Sequence, residues 1–436
     1  MAETTIDALL PCEVLDSRGN PTVACEVRLR GGASATVSVP SGASTGSHEA
    51  VELRDGGDRY AGRGVRRAVA SVEGEIAELV VGLDATDQIG LDAALRTLDG
   101  TDDLGRLGAN AVLSVSLASS LAAAASLGQP PYRWFGAGSD PLLPMPMVNI
   151  LSGGAHAGGA LDIQDLLAVP VGADSFAQAL EWVARVRRAT GEVLTEAGHD
   201  IRLVADEGGF GVPLPSNTTG LEVLTAGIER AGLRPGDQVG IAIDVAATEF
   251  LDGGDYHLAA EGRRLDTGEL TDLVADWCAR FPVLSVEDPL AEDDWDGWRG
   301  ITQRLGGGHQ LVGDDLFVTT ATRLRRGIES GAGNAVLVKP NQCGLLSDAH
   351  IVVRTAQAAG YATVLSARSG ETEDSWLADL AVGWRTGQIK VGSLTRSERT
   401  AKWNRLLRIE RELGAAAEFA GAASLAPLGG TDTGRD

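Results

Sequence analysis

Lysine is scarce in this chain of 436 residues, in which Lys and Arg together number 37. It occurs only at Lys339, Lys390 and Lys402, so arginine carries nearly all of the positive charge. Arginine cannot give up its proton in a protein, whereas a buried lysine can. We therefore interpret these lysines as candidates for proton-transfer chemistry. The alternative is that the three lysines remain by chance in a chain that otherwise uses arginine. The position of each lysine in the fold decides between a chemical role and chance.

Other shortages exclude whole classes of protein. The four cysteines lack CxxC spacing, which argues against a disulfide framework or a zinc site. Acidic residues number 60 and the net charge is −23, which disfavours binding to nucleic acid or anionic membranes. Residues 1–10 lack the basic start and apolar stretch of a secretory signal, so we expect a cytoplasmic protein. The uncharged run 107–132 is rich in Ala and Ser and ends in Gly and Pro, which predicts a buried helix rather than a membrane span.

The chain is too long for one ordinary core, and residues 136–146, rich in Gly and Pro, mark a predicted domain boundary. Before it, alternating apolar and polar residues between 13 and 40 predict a hairpin followed by a third strand, and a helical pattern continues to residue 127. We predict an N-terminal α+β capping domain over 1–138, a second domain over 142–426 and a disordered tail over 427–436.

The second domain contains short aliphatic runs that end in a charged or polar residue and are separated by helical patterns. This rhythm is typical of repeated strand-helix units, which close most naturally into a parallel (β/α)8 barrel of the TIM type. An open doubly wound sheet is the alternative, but no Gly-x-Gly-x-x-Gly turn follows a strand to support it. We predict strands at residues 201–207, 239–244, 283–287, 310–314, 335–339, 362–366 and 388–390.

Three of these predicted strands end in the carboxylates Asp244, Glu287 and Asp314. The carboxyl ends of barrel strands face one mouth, so these side chains are expected to converge there. Carboxylates without histidine or cysteine suit a hard cation such as Mg²⁺. A single acid at a strand end is more often a helix cap or an ion-pair partner. A metal site is favoured here because three acids occupy the same position at the ends of three strands.

Two further strands end at Lys339 and Lys390, which makes chance survival a weak explanation. A lysine among bound cations has its charged form disfavoured, so we expect a lowered pKa and a general base near neutral pH. A lysine that only pairs with the acids is the structural alternative. Residues 39–46 form a segment rich in hydroxyls and backbone donors, which suits closure over a phosphate or a metal, and Arg368 follows another strand end as a candidate phosphate contact. A plain turn and a surface ion-pair partner are the respective alternatives.

These residues fall within motifs that resemble the enolase (phosphopyruvate hydratase) family over nearly the whole chain. The motifs are Asp16-Ser17-Arg18-Gly19-Asn20-Pro21, Glu287-Asp288-Pro289, Asp314-Asp315-Leu316 and the segments 41–46, 107–111, 156–159, 206–209, 291–295, 368–374 and 396–399. The resemblance implies a small N-terminal α+β domain and a modified eight-stranded barrel. It also implies Mg²⁺ as cofactor, a substrate of the 2-phosphoglycerate or phosphoenolpyruvate type, and a homo-oligomer, either a dimer or an octamer.

The resemblance also assigns roles position by position. Lys339 matches the base, Lys390 the lysine near the substrate carboxylate, and Glu207 the acid that assists loss of the hydroxyl. The remaining matches are the metal ligands Asp244, Glu287, Asp314 and Ser44, the substrate contacts Ser44, Arg368, Ser369 and Gln164, and the loop residues His156 and Asp165.

Three positions depart from the family pattern. Where enolases have Ser-His-Arg-Ser-Gly, this chain has Ala367 in place of the histidine, and where they have Gln-Glu it has Gln164 and Asp165. Ser152 replaces the asparagine of an Asn-Gly-Gly turn. The changes favour an enzyme similar to carboxyphosphonoenolpyruvate synthase of phosphinothricin-type biosynthesis, with an activated phosphonoformate as second substrate. A conventional glycolytic enolase and a catalytically silent binding protein are the alternatives.

Overall fold

The structure, a computed structural model, describes residues 3–43 and 46–426. It shows a small α+β domain followed by a closed eight-stranded barrel with helices, which confirms the predicted fold class. The predicted ligand Ser44 and the predicted tail 427–436 lie outside the described residues.

The N-terminal sheet is an antiparallel meander. Its strands are Ile6–Leu15, Pro21–Leu29 and Ser34–Ser38, as the alternating pattern predicts. The turn between the first two is fixed by Asp16, whose Oδ1 accepts the backbone N–H groups of Arg18 at 2.9 Å and Asn20 at 2.8 Å. Gly19 has a φ of +73°, a conformation that favours glycine.

The helices of this domain follow the sheet in the chain, and the longest, Ala109–Ser126, packs against it. They are Arg66–Ser71, Ala77–Val80, Gln88–Asp99, Ala109–Ser126 and Pro131–Gly136, with a π-helical turn at Val72–Ile76. Within the part of the chain that the structure describes, only Ala109–Ser126 is long and apolar enough to cross a membrane, but 83% of it is buried inside the protein. This confirms the predicted buried helix.

The barrel closes with seven strands in one direction and one reversed. Asp165–Val169 runs antiparallel to both of its neighbours, so the expectation of an all-parallel barrel is wrong at this strand. In chain order the strands are Met145–Ser152, Asp165–Val169, Gly240–Asp244, Val283–Glu287, Gln310–Gly313, Ala335–Val338, Ala362–Ser366 and Gly387–Gly392.

One predicted strand is absent and two strands were missed. Residues 201–207 form turns rather than a strand, and Leu203 is 83% exposed, whereas a barrel strand would bury it. The missed barrel strands are Met145–Ser152, obscured by Pro146 and by Pro144 just before it, and Asp165–Val169, whose reversed direction breaks the strand-helix rhythm. The barrel wall therefore begins with a hairpin.

Helices surround the barrel, and the first four in chain order begin with a side-chain cap. Asp266 and Glu269 form a capping box at the helix Thr267–Arg280. The helices of this part are Phe176–Glu196, Asn217–Arg230, Thr267–Arg280, Trp295–Leu305, Ala321–Ser330, Pro340–Cys343, Leu346–Ala358, Trp376–Gly383 and Ser397–Leu413. Short strands lie outside the barrel at Leu142–Leu143, Leu251–Asp252, Asp255–Leu258, Arg263–Leu265 and Glu418–Phe419.

The barrel interior is apolar in its middle, with a pair of amides at its amino end and charged side chains at its carboxyl end. Met147, Leu167 and Leu337 belong to a buried apolar cluster inside it. Beneath this cluster the amides of Gln310 and Gln388 bond to each other at 2.9 and 3.0 Å, and Gln388 Nε2 also donates to the carbonyl of residue 424 at 2.8 Å. The C-terminal segment thus closes one mouth, and the charged side chains gather at the other.

Candidate active site at the carboxyl mouth of the barrel

The three predicted metal acids lie at the carboxyl ends of adjacent strands. Glu287 is the register partner of Asp244, and Asp314 directly follows the next strand. All three are buried, with 2%, 2% and 7% of Asp244, Glu287 and Asp314 exposed. Burial raises the pKa of Glu287 well above its ordinary value, and the neighbouring Asp244 carboxylate raises it further. Crowded, buried carboxylates of this kind need a cation to balance them.

Lys390 supplies positive charge to two of these acids. Its Nζ donates to Asp244 Oδ2 at 2.7 Å and to Glu287 Oε1 and Oε2 at 2.8 and 2.7 Å. Burial lowers the pKa of Lys390, but the two carboxylates raise it more, so the net pKa lies well above the ordinary value. Among these protein groups Lys390 is therefore a cation.

Lys339 directly follows its strand and reaches the third acid, because its Nζ donates to Asp314 Oδ2. Gln342 holds the other oxygen of Asp314 at 2.9 Å. Burial lowers the pKa of Lys339, but Asp314 and Glu287 together raise it more, so its net pKa is raised. The expectation of a lowered lysine pKa is thus not met by the protein groups alone, since Asp314 pairs with the amine.

Asp288 is a structural acid that the sequence reasoning missed. It accepts the backbone N–H groups of Asp314 at 3.0 Å and Asp315 at 2.7 Å, and its own φ is +40°. These bonds fix the backbone from which the Asp314 side chain projects. The Glu287-Asp288-Pro289 motif was the available signal.

The opposite wall of the mouth is built around His156. Its Nδ1 lies 3.0 Å from Asp165 Oδ2, and its Nε2 lies 4.0 Å from Glu207 Oε1. Burial lowers the pKa of His156, but the two carboxylates raise it more, to about 9. Burial also raises the pKa of Glu207, but His156 and Arg399 lower it more, so its net pKa is lowered. The wall therefore holds an imidazolium between two acids.

Asp165 reaches this wall because its strand is reversed. It is the first residue of that strand, and its register partners are Ser152 and Asp244. Asn149 Nδ2 donates to Asp165 Oδ1, and Ser152 Oγ donates to Asn149 Oδ1 at 3.1 Å. Both oxygens of Asp165 are thus engaged, one by an amide and one by His156. The substituted positions 152 and 165 belong to one hydrogen-bond network.

Arg368 and Ser369 lie where the N-terminal domain meets the barrel mouth. Arg368 is 4% exposed and forms a two-pronged ion pair with Glu49, at 2.9 and 3.1 Å, and it also donates to Asn341 at 3.1 Å. Ser369 Oγ accepts the backbone N–H of Ala43 at 2.7 Å. The structure therefore places Ser369 beside Ala43 and Arg368 beside Glu49, a partner that the sequence reasoning missed.

Two buried oxygens at this mouth have no hydrogen-bond donor within the described ranges: Gln164 Oε1 and Glu207 Oε2. Gln164 Nε2 donates to Asp244 Oδ2 at 3.2 Å, so its amide adjoins the metal acids. Buried oxygens are normally bonded. Together with the crowded carboxylates, they fit a site that receives a cation and a polar substrate.

Three groups in the described ranges have one ligand atom from each member within 4.8 Å of one another. Their members are His156 with Asp165 and Glu207, Asp288 with Asp314 and Asp315, and His48 with Glu292 and Asp293. The predicted set Asp244, Glu287 and Asp314 is not one of these tight groups. Its members are instead separated by the ammonium groups of Lys390 and Lys339.

Comparison with known protein families gives two matches. The N-terminal domain of enolase matches residues 6–135, and the C-terminal TIM barrel domain of enolase matches residues 140–428. The second alone covers more than half of the chain, and the gap between the two lies at the Gly- and Pro-rich segment.

Proposed function

Because the chain belongs to the enolase family, we propose that it acts on 2-phosphoglycerate or phosphoenolpyruvate-type substrates and forms a carboxyphosphono enol ester of pyruvate. The observation that carries the proposal is the unequal state of the two walls. The wall of metal acids and lysines has every residue that the chemistry requires, whereas the His156 wall and Ala367 are altered. We further propose that the enzyme works in the cytoplasm as a homo-oligomer.

Asp244, Glu287 and Asp314 are the residues that would hold Mg²⁺. Their crowding and burial favour a divalent cation, and oxygen ligands suit magnesium. When bound, the metal neutralises the charge that builds on the substrate carboxylate. Ser44 is proposed to complete a second metal position by family resemblance.

Lys339 is the proposed base that takes the proton beside the substrate carboxylate. Its contact with Asp314 places the amine at the metal acids rather than in the solvent. A cation bound to Asp314 would compete for the carboxylate that now raises the pKa of Lys339, and so favour the neutral amine. Lys390 stays charged and is proposed to orient the substrate carboxylate.

Glu207 is proposed to assist departure of the hydroxyl on the other wall. Its free Oε2 and the nearby His156 cation provide an acceptor and a positive charge at that position. Asp165 has both oxygens engaged, so its proposed role is to hold His156 rather than to exchange a proton. Gln164, Arg368 and Ser369 are proposed substrate contacts.

Ala367 supports the change of substrate. It is 6% exposed and lies between the strand Ala362–Ser366 and the phosphate-contact candidate Arg368. A methyl group there is much smaller than an imidazole and cannot exchange a proton. The freed volume is the proposed space for a carboxyphosphono group delivered by an activated phosphonoformate. In the overall exchange 2-phosphoglycerate loses water, its enol oxygen takes the carboxyphosphono group, and its phosphoryl group passes to the leaving group of the activated phosphonoformate.

Product analysis tests the proposal. The protein would be incubated with 2-phosphoglycerate, Mg²⁺ and an activated phosphonoformate, and the products followed by phosphorus NMR. A carboxyphosphono enol ester is the expected product. Phosphoenolpyruvate alone, formed at ordinary enolase rates, would instead establish the conventional enolase that the complete set of metal acids and lysines also fits. No turnover of either kind would favour a catalytically silent member.

A further inference from the structure

A second cavity lies between the two domains, away from the barrel mouth. It has a volume of about 670 Å³, within the range of small-molecule sites. Its walls come from the helices Gln88–Asp99 and Pro131–Gly136 of the N-terminal domain and from the helix Leu346–Ala358 of the barrel. None of the residues assigned above to the enolase reaction lines it.

Aromatic rings form much of this interdomain cavity. His350 and Trp384 stack with centroids 5.1 Å apart and planes 8° from parallel, and Trp134 and Phe135 also line it. Burial lowers the pKa of His350, so it presents a neutral ring at neutral pH. Trp134 is fixed because its Nε1 donates to Ser120 Oγ at 2.9 Å. Ordered rings of this kind favour a flat aromatic occupant.

One buried acceptor in the cavity wall is left without a donor. Gln88 Nε2 donates to Asp92 at 2.8 Å and to Ser116, which fixes the amide, and Gln88 Oε1 is buried with no donor among residues 3–43 and 46–426. Asp92 itself accepts from Gln88, from Ser116 and from the backbone of Ser347. A ligand N–H or O–H would satisfy the remaining oxygen of Gln88.

One arginine at the cavity rim favours an anionic substituent beside it. Arg96 is neutralised by an ion pair with Asp348. Arg133 also lines the cavity and is exposed, and no carboxylate pairs with it among the ion pairs of the described residues. An aromatic molecule that carries one negative charge therefore complements the rim as well as the rings.

We propose that the interdomain cavity binds a flat aromatic acid. The ring system lies against His350, Trp384 and Trp134, a donor on the ligand bonds to Gln88 Oε1, and the anionic group lies beside Arg133. This site is independent of the proposed reaction and would exist whichever enolase-type activity the protein has.

Anilinonaphthalene sulfonate is a suitable probe, because it combines fused rings, one N–H and one sulfonate. Titration of the full chain, followed by fluorescence and calorimetry, is expected to show one saturable site. Ala93→Trp places a bulky ring in the cavity from an exposed helix position and should weaken binding at least tenfold. Ala184→Trp is the matched control, since Ala184 is also exposed and lines a different cavity of about 770 Å³. Unchanged binding in the Ala93 variant, or a loss confined to the control, would overturn the proposal.

A second variant tests the charge at the rim. Arg133→Glu should weaken binding of the sulfonate probe several-fold but leave N-phenyl-1-naphthylamine, which has the same rings without the charge, bound as before. Equal effects on both probes would refute the role of Arg133. Thermal unfolding of each variant checks that the fold is retained, and the uncharged probe checks that the cavity is still present.

Discussion

The two walls of the barrel mouth differ in how the chain builds them. The metal-acid wall comes from the ends of successive parallel strands, and Lys339 and Lys390 offset part of its negative charge. The His156 wall comes from a short turn, a reversed strand and an irregular segment. The pairing of neighbouring strands therefore fixes the positions of the acids in the first wall directly. The second depends on a side-chain network, in which a single substitution changes the position of a functional group.

The largest expected effect is on the first wall. Lys339→Met removes the proposed base and should slow exchange of the C2 proton of 2-phosphoglycerate with D2O by about 10²–10⁴-fold, the range typical of general base catalysis. Proton NMR of the substrate in D2O measures the rate. Lys339→Arg is the matched variant: it keeps a cation for Asp314 but cannot accept a proton, so it should be equally slow. Exchange at the original rate in either variant would remove Lys339 from the mechanism.

Magnesium binding also tests the metal-acid wall. Mg²⁺ at 100 times its Kd should raise the free energy of unfolding by about 2.7 kcal/mol, because it binds only the folded protein. Asp314→Asn should largely abolish this increment, as measured by chemical denaturation with and without the metal. Asp165→Asn on the other wall is the control and should retain it. Loss of the increment only in the control would place the metal at the His156 group instead.

The sequence predicted the first wall better than the second for a physical reason. A strand end is visible as an aliphatic run followed by a charged residue, and a parallel barrel then brings Asp244, Glu287 and Asp314 to one mouth. The rule that functional residues end the strands could not predict Asp165. In a reversed strand the first residue, rather than the last, faces the carboxyl mouth of the barrel. Family resemblance supplied Asp165 and His156 without their geometry.

The partners of the site residues were the least predictable part. The Arg368 to Glu49 ion pair joins positions far apart in sequence, and neither the composition nor the periodicity of the chain indicates it. Likewise Asp288 acts on the backbone of Asp314, a role that depends on its left-handed conformation. The pKa of Lys339 could not be inferred either, since it depends on which neighbour the amine contacts. The domain boundaries at 138 and 142 and the oligomeric state stay predictions.

Ala367 tests whether the altered half determines the substrate. Ala367→His should shift the product ratio toward phosphoenolpyruvate by about tenfold, since it fills the proposed space and restores a proton-exchanging group. Ala367→Leu fills the space without an exchangeable proton and should lower carboxyphosphono product without raising phosphoenolpyruvate. Phosphorus NMR of competing reactions gives the ratio. A ratio that neither variant changes would mean that position 367 does not select the substrate.

The smallest effect concerns the His156 network and the pH dependence of stability. His156 has its pKa raised from 6.5 to about 9 by Asp165 and Glu207, which both face it, with a weaker contribution from Asp244. A group whose pKa is raised by folding stabilises the protein fully below its unfolded pKa and loses that contribution as pH rises through the folded value. The free energy of unfolding should therefore decrease between pH 6.5 and pH 9. Denaturation across this window should show a shallower decrease in His156→Gln, because the neutral amide does not titrate there. An identical pH slope in the variant would show that the imidazolium does not hold this wall together.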